Sequence, residues 1–82
     1  MDYPSLTNCS GAYIAKALVR LGGFETKRGS KHFWKACHIK TNKCFMIPNR
    51  KPLKKGLVWD MVRSYLEPLG FSEGKIFKEI QC

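Results

Sequence analysis

Apolar residues Ile14, Ala17, Leu18 and Leu21 recur at three- and four-residue intervals, the period of a helix that lays one face on a core. Ser10 stands where an N-cap belongs, Lys16 and Arg20 fall on the outer face, and Gly22-Gly23 supplies a stop. The period then changes to two. Phe24 to Arg28 reads as a short strand, Gly29-Ser30 as a tight turn, and Lys31 to Ile39 as a longer strand. Lys40-Thr41-Asn42-Lys43 reads as a polar hairpin loop, and Cys44 to Ile47 as a third strand ended by Pro48. Alternation in the middle strand separates Phe33, Lys35, Cys37 and Ile39 from His32, Trp34, Ala36 and His38. The first set is expected to face the core, with the Lys35 stem reaching its edge. Both histidines and the tryptophan then stand on the open side of the sheet.

Asn49 to Lys55 forms a basic loop. Leu57, Val58, Met61, Val62, Tyr65 and Leu66 trace a second helix that stops near Pro68, and Ser72 can cap a last short helix carrying Ile76, Phe77 and Ile80. Residues 1–9 read as a lead-in, with Pro4 opposing helix. The predicted class is α+β in the order α-β-β-β-α-α, with helices packed on one face of a three-stranded antiparallel sheet. At 82 residues the chain is a single domain, 1–82. A domain of this size buries only about 60–65% of the surface its unfolded chain exposes.

Charge narrows the function classes. Fifteen Lys and Arg against six Asp and Glu give a net charge of +9, spread along the whole chain. Such a balance favours nucleic acid, an anionic membrane or an acidic protein as partner. No stretch approaches the roughly 20 apolar residues of a membrane span, which argues against a membrane protein. No apolar leader follows Met1, so the expected compartment is the cytoplasm, where thiols stay reduced. Cys9, Cys37, Cys44 and Cys82 are accordingly read as small buried residues or free thiols, with Cys82 open to adventitious dimerisation. The close cysteine pairs of a zinc ribbon are lacking, and no metal is expected.

His32 is the candidate for proton-transfer chemistry. Histidine is the side chain whose ordinary pKa lets it take or give a proton near neutrality, and this one is ringed by lysine and arginine. RNA cleavage requires a group that removes the ribose 2′-hydroxyl proton and cations that stabilise the crowded phosphorane. His32 can be the base. Arg28, Lys31 and Arg50 can hold the phosphate, with the Gly29-Ser30 turn donating a hydroxyl or backbone hydrogen bond. Lys51, Lys54 and Lys55 add further cations at a helix start. Trp34 can either stack an unpaired base or pack against a neighbouring strand; Trp59 is read as packing. His38, six residues and so about 20 Å along the strand from His32, is read as an exposed strand-end histidine.

These features together resemble one family. Ser10-Gly11, the amphipathic helix, Leu21-Gly22-Gly23-Phe24, Gly29-Ser30-Lys31-His32, Leu53-Lys54-Lys55-Gly56-Leu57 and Gly70-Phe71-Ser72 are similar, in order and spacing, to the HicA or YcfA-like mRNA interferase toxins. The resemblance covers residues 10–80. It implies a fold like that of a double-stranded RNA-binding domain, and a metal-independent endoribonuclease without cofactors that acts on mRNA. It also implies a HicB-like antitoxin as protein partner, and His32 as the catalytic residue. Two departures stand out. Lys31 occupies a slot where many members carry a first histidine, and Asn49-Arg50-Lys51 follows Pro48 where many have a second one. Two alternatives follow from the same residues: a non-catalytic RNA-binding module, and a domain that binds an acidic protein.

Overall fold

The computed structural model describes residues 6–82; the expectation for Pro4 lies outside them. Helix α1 (Gly11–Leu21) leads into strands β1 (Phe24–Ser30), β2 (Phe33–His38) and β3 (Lys43–Pro48). Helix α2 (Lys55–Met61) continues through a π-helical segment (Val62–Leu66) and a 3₁₀ turn (Glu67–Leu69), and α3 (Glu73–Glu79) follows. The chain is therefore α+β, with a three-stranded antiparallel sheet of order β1-β2-β3.

The helix boundaries follow from local chemistry. Ser10 Oγ accepts the Tyr13 N–H at 3.1 Å, and Ser72 Oγ accepts that of Lys75 at 3.3 Å. Caps of this kind contribute about 1 kcal/mol each. Gly22 and Gly23 adopt φ of 99° and 81°, conformations that turn α1 directly into β1 and that other residues resist. The second helix is not one regular α-helix as the apolar period predicts. Pro68 lacks the N–H that an α-helical ladder needs, and the last turn tightens to 3₁₀ around it.

The strands pair so that Thr26, Ala36 and Phe45 form one cross-strand row and Lys27, Lys35 and Met46 the next. The first row faces the helices. Ala36 and Ile47 are wholly buried, Phe24 and Phe45 nearly so, and α1 lies against all three strands. This reverses the facing predicted for β2. Trp34, Ala36 and His38 point to the packed side, whereas Phe33, Lys35 and Cys37 point to the open side. The alternation is correct, but partner strands decide its direction. Ala36 is locked opposite Phe45, and Trp34 opposite Ile47, the two apolar positions β3 has to bury. Ile39 is 60% exposed beyond the end of β2 rather than part of the core.

Two further expectations are corrected. The core does not begin only at residue 10: Leu6 and Cys9, from the described part of the lead-in, are completely buried and belong to the core cluster. The cysteines are not free thiols, because Cys9 bonds Cys82 and Cys37 bonds Cys44. Cys37 and Cys44 sit directly opposite one another in the β2–β3 ladder, a proximity that the sequence shows only once the register is known. The Cys9–Cys82 bridge spans 73 positions. In the chain-entropy account, a loop of that length is worth about 4 kcal/mol to a small domain with little core. Cys82 is thereby unavailable for intermolecular pairing. Around this bridge, Tyr13 Oη donates to the Glu79 carbonyl at 3.2 Å and accepts the Gln81 N–H at 3.0 Å, which ties the C-terminal segment to α1.

Gly11 is the tightest junction. Its N–H donates to the Arg50 carbonyl at 3.1 Å, and a Cβ there would run into the Pro48 carbonyl and stand 3.1 Å from Asn49 Cα. Gly11→Ala should therefore destabilise the fold by roughly 1–3 kcal/mol, although alanine is the better helix former. Thermal denaturation of the variant measures this; an unchanged or raised midpoint would contradict the packing.

Candidate active site

The turn that carries His32 lies two residues later than the sequence suggests. Gly29 and Ser30 are the last residues of β1, with Gly29 at an irregularity in the ladder between Arg28 and Ser30, and only Lys31 and His32 lie between β1 and β2. Ser30 Oγ accepts the His32 N–H at 3.0 Å, which holds the turn and occupies that backbone N–H while leaving the serine O–H able to donate. Both side chains of the turn, Lys31 and His32, are exposed.

Asn49, at the end of β3, fixes this turn from the other side. Its backbone N–H donates to the His32 carbonyl at 2.9 Å, and its Nδ2 donates to the Lys31 carbonyl at 3.1 Å. Its Oδ1 accepts the Trp34 indole N–H at 3.3 Å. One residue, through its backbone N–H and its side-chain amide, thus occupies both carbonyls of the turn and the Trp34 indole. The imidazole is left without a hydrogen-bond partner among the described residues, projecting from a backbone with little freedom. Such an arrangement presents a base to a ligand at low entropic cost.

The other predicted residues separate into near and far groups. Arg50 follows the clamp directly and is exposed; its N–H bonds the Pro48 carbonyl at 2.9 Å and its carbonyl receives Gly11. Arg28 is exposed at the far strand edge, opposite Trp34. Lys51 is exposed beyond Arg50. Lys54 and Lys55 lie past Leu53, a buried anchor whose N–H reaches the Cys9 carbonyl at 2.6 Å. Among the described residues, no hydrogen bond ties either lysine to the His32 turn.

Trp34 is not displayed on an open face. It is half-buried, packs against the core and gives its indole N–H to Asn49, the packing role among its two expected ones. Trp59 packs against Phe77, with ring centroids 5.2 Å apart, as read from the sequence. His38 is not an exposed strand-end residue. It is 8% exposed, with Nδ1 2.8 Å from Thr41 Oγ1 and rings of Phe24 and Phe71 at 5.1 and 6.1 Å. The apolar wall formed by these phenylalanines, and the room left by Gly23 beside its ring, explain why it turns inward. His32 is thus the single histidine in the candidate site.

Two residues were missed. Asn49 looks like one polar residue of a basic loop until the ladder brings the end of β3 beside the β1–β2 turn. Phe33 was assigned to the core but lies on the open side, half-buried over Gly29.

The chain matches no family model, no curated protein and no solved structure.

Replacing Asn49 with alanine removes two side-chain hydrogen bonds and keeps the backbone one. A loss of roughly 1–3 kcal/mol is expected, with faster amide exchange at His32. Exchange rates at that amide that match the wild type would show that the clamp does not restrain the turn.

Proposed function

We propose that the protein is an endoribonuclease in which His32 is the general base, and that it acts on mRNA as a toxin of the HicA kind. The observation that supports this most strongly is an unpartnered, exposed imidazole on a turn held by Ser30 and Asn49, in a chain of net charge +9. In the proposed reaction the His32 imidazole removes the proton of a ribose 2′-hydroxyl. The 2′-oxygen attacks the adjacent phosphorus, the bond to the 5′-oxygen breaks, and a 2′,3′-cyclic phosphate remains on the upstream strand. The departing 5′-oxygen takes its proton from water or from Lys31, the other exposed group of the turn. Lys31 and Arg50 supply positive charge to the phosphorane, with Arg28 and Lys51 further out. One base without a matched imidazole acid provides only part of the usual acid–base gain, so a slow enzyme is expected.

A toxin of this kind works in the cytoplasm beside a HicB-like antitoxin, a reducing compartment in which bridges such as Cys9–Cys82 and Cys37–Cys44 are rare. Neither bridge includes a residue of the Ser30–Phe33 turn or Asn49, so the presentation of His32 does not run through them. A second reading is a non-catalytic RNA-binding module with a fold like that of a double-stranded RNA-binding domain. The burial of His38 favours it, because no other histidine is left to serve as acid.

His32→Ala should lower RNA cleavage by about 10²–10⁴-fold while leaving folding and RNA affinity nearly unchanged. Induced expression should arrest growth for the wild type and not for the variant. Undiminished cleavage by His32→Ala would end the catalytic reading; RNA binding without cleavage by the wild type would select the module. If about five phosphates of single-stranded RNA are neutralised, log K should fall with log[salt] at a slope near −3.5, and a flat response would exclude phosphate contact.

A further inference from the structure

The open side of the sheet combines an aromatic ring with unpaired cations next to the His32 turn. Phe33 follows His32 directly, opposite Ser30 on one strand and Pro48 on the other. Its ring lies where a side chain of Gly29 would be: a Cβ there would overlap Cε2 and stand 2.9 Å from Cδ2 and 3.3 Å from Cζ. The missing side chain lets the ring lie against the β1 backbone and remain only partly buried. Two residues along β2 on the same face, Lys35 stands directly opposite Lys27. Neither lysine has an ion-pair partner among the described residues, and Glu25, the neighbouring carboxylate of that face, bonds neither. Like charges in this position repel and destabilise the ladder unless an anion lies between them. They border an open cleft of about 470 Å³ that continues past Glu25 and Cys37 to Val19, Phe24 and Thr26. On the other side of Lys35 stands Met46, 55% exposed.

We propose that this face is a binding track for single-stranded RNA, with one base stacked on Phe33 and the adjoining phosphates on Lys27 and Lys35. This inference rests on the ribonuclease reading and extends it, because the track begins at the residue after His32 and so determines which strand reaches the turn. Successive outward residues of β2 are about 7 Å apart, a step that an extended strand of nucleotides can follow. An aromatic platform beside cations holds any unpaired base by stacking, while bases inside a duplex have no face free for it. An acidic polypeptide would use the lysines but would have no need of the ring.

The test uses a short labelled RNA, single-stranded or annealed to its complement, titrated against the full chain in the His32→Ala background so that the probe stays intact. The single strand should bind more tightly than the duplex. Phe33→Leu should weaken single-strand binding by about tenfold or more without changing the salt slope. K27Q/K35Q should make that slope shallower by about 1.4. Removing two facing charges should leave the thermal midpoint of K27Q/K35Q equal or higher, which separates lost binding from lost fold. Cleavage by the wild type together with unchanged binding in both variants would overturn the track and leave the ribonuclease reading standing. No RNA binding in the parent and no cleavage by the wild type would overturn both. Tighter binding of poly-glutamate than of RNA, sensitive to K27Q/K35Q, would reassign the face to an acidic protein and overturn the track.

Discussion

The hydrogen bonds of Asn49 are the constraint on which the site depends. They join the end of β3 to the carbonyls of Lys31 and His32 and to the Trp34 indole. They make a two-residue turn part of the sheet's rigid framework. Their own foundation is the close approach of α1, because Gly11 brings the helix start against Pro48 and Asn49. Helix, third strand and turn thus form one mechanical unit. A methyl group at Gly11 would press on Pro48 and on Asn49, the residue whose N–H holds the His32 carbonyl.

The unit also shows how packing and exposure are divided across a three-stranded sheet. The packed side takes Phe24, Ala36, Phe45 and Ile47, closed by α1 and joined by the C-terminal helix through Tyr13 and the Cys9–Cys82 bridge. The open side is left with Lys27, Phe33, Lys35 and Met46, residues that water alone does not require in that combination. Function, on the account given above, belongs to the open side and to the turn at its edge. The helices contribute by supporting the sheet from behind.

Much of this was legible in the residues, and what was not has a physical cause. Ser10, Gly22-Gly23, Pro48 and Ser72 mark element ends by local chemistry, and each lies where it was expected. Alternation in β2 was legible too, but a period of two says only which residues share a face. Which face is buried depends on the partners across the ladder, and Phe45 and Ile47 drew Ala36 and Trp34 inward. His38 and Phe33 changed sides for the same reason. The pairing of Cys37 with Cys44 and the reach of Asn49 are properties of register, and one strand read alone does not contain them. His32 was identified by its proton-transfer chemistry and its cationic surroundings; it was read as part of β2, but it lies in the turn before that strand, where its exposure needs no facing decision.

The most direct measurement is the chemistry of the cut ends. An RNA strand exposed to the protein and analysed by mass spectrometry should yield fragments ending in 2′,3′-cyclic phosphate. A single 2′-deoxy substitution on the upstream side of the cleaved link should abolish the cut. Cleavage that persists at the deoxy-substituted link would show that no 2′-hydroxyl is being deprotonated there, and His32 would lose the role assigned to it.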